Sequence, residues 1–268
     1  MLLVLLSFAL AADGPAAMPS VPTTAQVTNV YDGDTFTLTT GDKIRLKWVN
    51  TPERKPLEPY AMEARELTEN FVMGKEITLI TDGPNPRDGY GRILAGIRTD
   101  EGDLSEALLR AGYAHLFVIP PDSTDLTAMI AAQEEARAAR RGIWSDEMFQ
   151  GTFHITSFHP NAPGDDNTNV NGEYMRICNL TGAPADIEGW RLIDISGTTH
   201  RLPSVVVPAG QTVKVVSGRG PTGMEHDGQL QIHLNSDTPL WNNEHERVEL
   251  YDPQGIKRDQ RESHGKSH

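Results

Sequence analysis

Apolar and polar positions along this chain follow two different rhythms in its two halves. Gln26 to Tyr31 and Thr35 to Thr40 alternate with the period of a half-buried strand. The Asp32-Gly33-Asp34 between them is turn chemistry, so the two runs predict a hairpin. Lys43 to Trp48 predicts a third strand that ends where the Asn50–Glu53 loop begins. Tyr60, Ala64, Leu67 and Phe71 then recur at helical spacing, and Gly74 closes that helix. Glu76 to Thr81 and Arg92 to Arg98 predict two more strands. Asp103 and Glu106 form a capping-box-like start to a helix that ends at Gly112. Ser123 to Arg141 predicts a longer helix with Leu126, Met129, Ile130 and Ala136 near one stripe, which Gln133 interrupts. Five strands interrupted by helices predict an α+β fold of the OB type, a five-stranded barrel.

Past Ser145–Gly151 the helical period stops. Short alternating runs follow at Phe153–Phe158, Glu173–Asn179, Trp190–Ile195, Ser204–Val207, Thr212–Val216, Gln229–His233 and Arg247–Tyr251, punctuated by Gly, Pro, Asn and Asp. That pattern predicts an all-β immunoglobulin-like sandwich. Two domains are expected, at 24–147 and 152–260, with a leader and linker at 1–23 and a polar tail at 261–268.

Charge narrows the function. With 24 basic and 37 acidic residues the net charge is −13. This balance argues against a protein that packages duplex DNA on a basic face, and long-range steering of a polyanion is expected to be poor. Leu2 to Ala12 is an apolar run too short to span a bilayer, with small residues at Ala9-Leu10-Ala11. It reads as a secretory signal without a positive leading segment, followed by an Ala/Pro-rich linker from Asp13 to Thr23. Export to the extracellular space or periplasm is the expectation, with no transmembrane anchor. Cys178 is the single cysteine, so an intramolecular disulfide is impossible, and it reads as a packed strand thiol. Nine histidines show no ligand spacing, His264 and His268 read as solvated, and no zinc site is expected. Arg137, Arg140 and Arg141 read as a solvated helix end complementing the helix dipole.

Three short segments carry a complete chemistry. Asp32-Gly33-Asp34-Thr35 comes first, then Arg45 with Asn50-Thr51-Pro52-Glu53, then Asp88-Gly89-Tyr90-Gly91-Arg92. A hard divalent cation takes carboxylate, amide and backbone oxygens, and Asp34, the Asn50 side-chain carbonyl and the Thr51 backbone carbonyl offer three. Arg45 and Arg92 are planar, permanently charged donors for the oxygens of a phosphoryl group. Glu53 is the carboxylate left to activate water. Each segment alone is ordinary turn or loop chemistry; their order and spacing make the case.

The stretch from Thr24 to Ser145 resembles the staphylococcal nuclease-like (thermonuclease) family. The text that carries the resemblance is VYDGDTFTL, IRLKWVNTPE and DGYGR, then LSEALLRAGYA and a closing helix ending ARRGIWS. The resemblance implies that Asp34 binds the metal with Asp32 as an indirect neighbour. It implies that Arg45 and Arg92 bind phosphate, that Glu53 is the general base, that Thr51 is a ligand, and that Tyr90 lies along the nucleotide. Asn50 stands where the family usually has an aspartate, which removes a charge and lowers the expected metal affinity. Gly89 stands where a lysine is common, and Val118 and Pro120 where tyrosines hold the base. His115, Phe117 or Trp48 are the candidates to replace that grip, although Trp48 and Phe117 read first as core.

Thr152 to Arg258 resembles the lamin tail domain, through NGEYMRICN, ADIEGWRLID, VVVPAGQTVKV and LWNNEHERVELYDPQG. Trp190 and Trp241 are its expected core anchors, and Asn242 and Asn243 read as turn residues. Together the resemblances imply a secreted, Ca²⁺-dependent nuclease. It would cut DNA and RNA, single-stranded or flexible, by in-line attack of water to leave 3′-phosphates. The second domain would tether it to a surface or matrix partner. The alternative expectation is a nuclease-like protein with weak or lost catalysis that serves as a nucleic-acid or polymer-binding adhesion module.

Overall fold

The computed structural model describes residues 21–83 and 86–264. The expected signal segment, most of the expected linker, and residues 265–268 of the expected tail lie outside the described residues.

β1 (Thr24–Val30), β2 (Thr35–Leu38) and β3 (Lys43–Leu46) form an antiparallel meander. The two-residue β4 (Val49–Asn50) follows, then α1 (Ala61–Val72), β5 (Glu76–Ile80) and β6 (Ile93–Thr99). β5 pairs antiparallel with both β1 and β6, and β6 returns parallel to β3 in the register Ile44↔Ile93. That last pairing closes a five-stranded barrel, as an OB-type fold requires. Phe36, Leu38, Ile44 and Leu46 alternate inward to fill it. The Trp48 ring lies on Gly96, where a Cβ would stand 2.2 Å from a ring carbon. Trp48 is therefore core, as its first reading held, and it adopts a left-handed φ of 67° that turns the chain out of β3.

α1 buries Ala61, Ala64, Thr68 and Phe71 at helical spacing. The short β7 (Gly102–Asp103) leads into α2 (Leu104–Ala111), where the Asp103 side chain caps the Glu106 N–H at 3.1 Å. Glu106 spends its own side chain on Arg110, so only half of the capping box forms. After β8 (His115–Leu116), α3 runs Thr127–Ala138, shorter at both ends than the expected 123–141. Asp125 Oδ1 accepts from the Thr127 N–H and hydroxyl and sets the start, while Arg140 leaves the helix at φ 52°. The three arginines are ion-paired or tied to the connector: Arg137 donates to the Gln150 and Gly151 carbonyls, Arg140 pairs with Glu147, and Arg141 with Glu135.

The second half is two packed sheets. One contains β9 (Phe153–His159), β10 (Tyr174–Asn179), β15 (Thr212–Val216), β16 (Gly223–Met224) and β17 (Leu230–His233), in the order β16-β17-β15-β10-β9. The other contains β12 (Arg191–Asp194), β13 (Thr199–Arg201), β18 (His245–Tyr251) and β19 (Lys257–His264), in the order β13-β12-β18-β19. The small pair β11 (Ala185–Asp186) and β14 (Val206–Val207) stands apart. Trp190 and Trp241 are core anchors, edge-on to Phe153 at 5.1 Å and to Phe158 at 5.3 Å. β19 continues through residues 261–264, which were expected to be tail. Its buried Asp259 accepts the Ile155 N–H at 2.5 Å and so joins the two sheets.

The halves meet through specific bonds. The Val118 N–H donates to the Gly210 carbonyl at 2.9 Å, and the Thr212 N–H to the Val118 carbonyl at 3.0 Å. Gln133, fully buried, accepts the Leu116 N–H at 2.6 Å and donates to the Leu180 carbonyl at 3.0 Å. The residue that interrupts the apolar stripe of α3 is thus the one that satisfies backbone groups on both sides of the junction. Cys178 is buried there with Sγ 3.1 Å from the Leu116 carbonyl, and burial pushes its thiol pKa strongly up, away from reactivity.

Candidate active site

The β1–β2 turn is built by close packing. Gly33 does not need a left-handed backbone; a Cβ there would stand 2.6 Å from Thr51 Cγ2 and 2.8 Å from Ala64 Cβ. Thr68 on α1 donates its hydroxyl to the Gly33 carbonyl at 2.6 Å. The turn is thereby pinned against α1 and the Thr51 loop, with Asp32 and Asp34 both 6% exposed. Asp32 Oδ1 accepts the Asp34 N–H at 3.1 Å. Asp34 Oδ2 accepts the Thr51 N–H at 2.9 Å and the Thr51 hydroxyl at 3.0 Å, and Oδ1 accepts the Thr35 hydroxyl at 3.1 Å.

Arg45 closes the group. Its Nη1 donates to the Leu46 and Val49 carbonyls at 2.6 and 2.9 Å. Its Nη2 donates to Asn50 Oδ1 at 3.0 Å and lies 3.3 Å from Asp34 Oδ2. Four acceptors fix the guanidinium plane before any substrate arrives, the preorganisation that electrostatic catalysis needs. Glu53 is exposed at the mouth of the site, and its N–H donates to Glu58 Oε2 at 2.8 Å. Partial burial and the charges of Asp34 and Glu58 push the Glu53 carboxyl above its ordinary range. Asp32 is pushed up to about 7, by burial first and the Asp34 charge second, with Arg45 pulling the other way.

The third segment folds on itself. Asp88 Oδ1 accepts the N–H groups of Tyr90 and Arg92, and Oδ2 lies 2.8 Å from both Nε and Nη2 of Arg92. The Arg92 guanidinium sits over the Tyr90 ring at 5.5 Å, and Tyr90 is 83% exposed. Arg45, Arg92 and Tyr90 line one cleft of about 300 Å³ with Trp48 and Phe117. The structure therefore brings Asp34, Arg45, Asn50, Thr51 and Glu53 together, and reaches Arg92 and Tyr90 through that cleft. Phe117 is half-buried in its wall, while Val118 and Pro120 are buried and have no aromatic ring for a base to stack on.

A second cavity, about 130 Å³, shares no lining residue with that cleft. Asn50, Thr51, Glu53 and His115 line it from the barrel, and His154, Thr156 and Arg261 from the sandwich. Burial first and His154 second hold the His115 imidazole neutral, with its pKa down at about 3. Arg261 Nη1 is 3.2 Å from Glu58 Oε1. Sequence reasoning missed Glu58, His154 and Arg261, because only the docking of the second half brings two of them here. It also found no ligand spacing among the histidines, yet cross-strand pairing sets His245 opposite His264, with Glu262 beside them and their ligand atoms within 4.8 Å of one another on the surface.

The donor set suits a hard divalent cation. Two buried carboxylates, Asp32 and Asp34, share one turn, a single guanidinium pairs with Asp34, and the remaining donors are an amide carbonyl and backbone oxygen. The raised Asp32 pKa marks the negative charge that a cation would neutralise there. Among the described residues no helix is long and apolar enough to cross a membrane.

Known families match both halves. The staphylococcal nuclease homologue family matches residues 43–146, and the lamin tail domain matches residues 149–265. An uncharacterized endonuclease of Escherichia coli is 34% identical over 125 residues, 45% of this chain and 76% of that protein. The thermonuclease of Staphylococcus intermedius is 29% identical over 142 residues, 49% of this chain and 84% of that protein. An SPbeta prophage-derived endonuclease of Bacillus subtilis is 31% identical over 122 residues, 42% of this chain. The chain spans only 41% of that relative's length.

Proposed function

This chain belongs to the staphylococcal nuclease homologue family and carries a lamin tail domain behind the nuclease half, and on that premise we propose that it is a Ca²⁺-dependent nuclease of DNA and RNA. The observation that carries the reading is the convergence of Asp34, Arg45, Asn50 and Thr51 in one bonded group, with Glu53 beside it and with Arg45 also lining the cleft that contains Arg92. Family membership supports metal dependence, and the all-oxygen donor set favours Ca²⁺. Asp34, the Asn50 carbonyl and the Thr51 carbonyl would hold the ion, with Asp32 supporting them. When bound, the ion would supply positive charge at the scissile phosphate.

The protein's own groups do the rest. Arg45, held by its four acceptors, presents its guanidinium edge to the equatorial oxygens, where charge accumulates in the transition state. Arg92, paired with Asp88, offers a second cation across the cleft, and Tyr90 offers an exposed ring for a sugar or base. Glu53 takes a proton from the attacking water, and its raised pKa makes it a stronger base than an ordinary carboxylate. In-line attack with departure of the 5′ oxygen gives 3′-phosphate products. A narrow cleft on a protein of net charge −13 favours single-stranded or flexible substrate. The apolar leader supports export, and the lamin tail domain supports attachment to a surface or matrix partner.

A second reading rests on Asn50, the one ligand position that has given up a charge: a domain that binds nucleic acid and has retired its chemistry. Cleavage of a fluorescent single-stranded DNA, with Ca²⁺ titrated and chelator as control, separates the two. The expected result is Ca²⁺-dependent cleavage that Glu53→Gln reduces by about 10²–10⁴-fold without lowering the melting temperature. No cleavage at saturating Ca²⁺, or a fully active Glu53→Gln, overturns the nuclease reading or its mechanism respectively.

A further inference from the structure

The outer face of the β18–β19 ladder gathers three metal-binding side chains that the candidate active site does not use. Inward and outward positions alternate on both strands, with Val248 and Leu250 of β18 and Asp259 of β19 buried. His245 and Arg247 therefore share the outer face with Glu262 and His264. In register, His245 stands directly opposite His264, and Arg247 opposite Glu262. The two imidazole rings lie nearly parallel, 9° between planes, with centroids 4.9 Å apart. Glu262 Oε2 is 3.5 Å from His264 Nε2. Arg247 pairs with Glu249 at 3.6 Å on its own strand, and the Glu262 carboxylate turns to histidine.

We propose that His245, Glu262 and His264 form a surface site for a zinc-class divalent cation that clasps β19 to β18. Two imidazoles and one carboxylate are the donors of a borderline cation such as Zn²⁺, and a poor set for Ca²⁺, which takes oxygen. One ligand atom from each residue lies within 4.8 Å of the other two. Ligand atoms around a tetrahedral Zn²⁺ are about 3.3 Å apart. All three side chains are exposed, so small rotations about their own bonds close that difference without moving the strands. Opposed like charges repel across a strand pair, so two histidines gain nothing from facing each other as cations. An ion between neutral rings turns the same pairing into an attraction, and its fourth position is left to water.

The placement gives the ion a structural task. The ladder runs from Tyr251–Lys257, beside the turn that joins the strands, to His245–His264 at its far end. Ladder ends open more readily than their middles, so a clasp acts most where this one lies. β19 also carries Asp259, whose carboxylate accepts the Ile155 N–H of the facing sheet, and Arg261, 3.2 Å from Glu58. Glu58 in turn accepts the Glu53 N–H at 2.8 Å. Fixing the strand beyond Arg261 steadies the element through which the sandwich reaches the barrel. The site shares no residue with the Asp34 group, and it stands whether or not that group cuts nucleic acid.

The test is calorimetric titration of the chelator-treated full chain with Zn²⁺, in excess Ca²⁺ to fill oxygen sites. His245→Ala, His264→Ala and Glu262→Gln are titrated beside it. The wild type should show a stoichiometric Zn²⁺ site. Loss of a residue that merely orients a ligand costs about 10–100-fold in metal affinity, so loss of a ligand should cost on the order of tenfold or more in each variant. Hydrogen exchange reads the clasp itself. Zn²⁺ should slow amide exchange along β19 in the wild type and leave it unchanged in His245→Ala, whose substitution is on the partner strand. The three side chains are exposed, so the variants should melt with the wild type in chelator. His245→Gln and His264→Gln replace either alanine variant that does not. A wild type without a stoichiometric Zn²⁺ site, or wild-type affinity in any one of the folded variants, overturns the proposal.

Discussion

Arg45 donates from Nη2 to the Asn50 side-chain carbonyl at 3.0 Å while the same nitrogen lies 3.3 Å from Asp34. The neutral amide of Asn50 is thus held by the same guanidinium that pairs with the Asp34 carboxylate. Asn50→Asp restores that charge without changing shape. Its expected effect is a fall in the Ca²⁺ concentration for half-maximal cleavage by on the order of tenfold, because ligand charge tunes affinity. A titration curve that does not move would remove residue 50 from the ligand set.

Gly33→Ala tests whether the turn is set by packing. The new Cβ would have to displace Thr51 Cγ2 or Ala64 Cβ, which stand at 2.6 and 2.8 Å from its position. Overpacking of this kind costs about 1–3 kcal/mol. Thr51 would be pushed from Asp34, so cleavage should fall with the melting temperature, and a higher Ca²⁺ concentration should be needed. Retention of wild-type Ca²⁺ dependence would show that the Thr51–Asp34 contact is dispensable.

Asp32 gives a pH dependence with a definite sign. Its folded pKa of about 7 lies above the ordinary 3.8, so between those values the folded protein binds more protons than the unfolded chain. Stability of the metal-free protein should therefore fall as pH rises from about 4 to 7, with its full contribution present below pH 4. Ca²⁺ favours the ionised carboxylates, so the rise in melting temperature it produces should be larger at pH 8 than at pH 5. Asp32→Asn should flatten the metal-free profile; an unchanged slope would place the titrating group elsewhere.

Gln133→Leu keeps an apolar volume in α3 but strands the Leu116 N–H and the Leu180 carbonyl. Each buried group left unpaired costs about 1–3 kcal/mol. Equilibrium urea unfolding should show a loss of about 3 kcal/mol. A variant as stable as the wild type would mean that water replaces both bonds.

Much of the barrel was legible because its strands alternate cleanly and its chemistry is local. Asp34, Arg45 and Glu53 sit at the ends of strands or turns, so their convergence follows once the strands are placed. Other features depended on contacts with no trace in the local pattern. α3 appeared longer because Asp125 ends the preceding loop by a side-chain bond that apolar spacing does not register. β19, KRDQRESH, has no apolar residue to alternate; it is a strand because it pairs along β18 from His264 to Lys257. Gln133 looked like a flaw in a stripe until its two backbone partners, 17 and 47 residues away, were in view. The meeting of His115, His154 and Arg261 is the extreme case, since it exists only when the two halves dock.

The backbone bonds between Val118 and the Gly210–Thr212 segment bear on how such proteins are assembled from parts. A gene fusion that simply joins a nuclease to an adhesive module leaves each free to be exchanged. Here a swap of either half would leave Val118, two residues beyond the strand that carries His115, with unanswered donors and acceptors. The seam between residues 146 and 149 is thus a junction in the text of the chain and a continuous hydrogen-bonded surface in space. Descendants of this arrangement are expected to inherit both halves together, and a recombinant library drawn at that seam should recover few active members unless the Leu116–Val118 and Gly210–Thr212 segments travel as a pair.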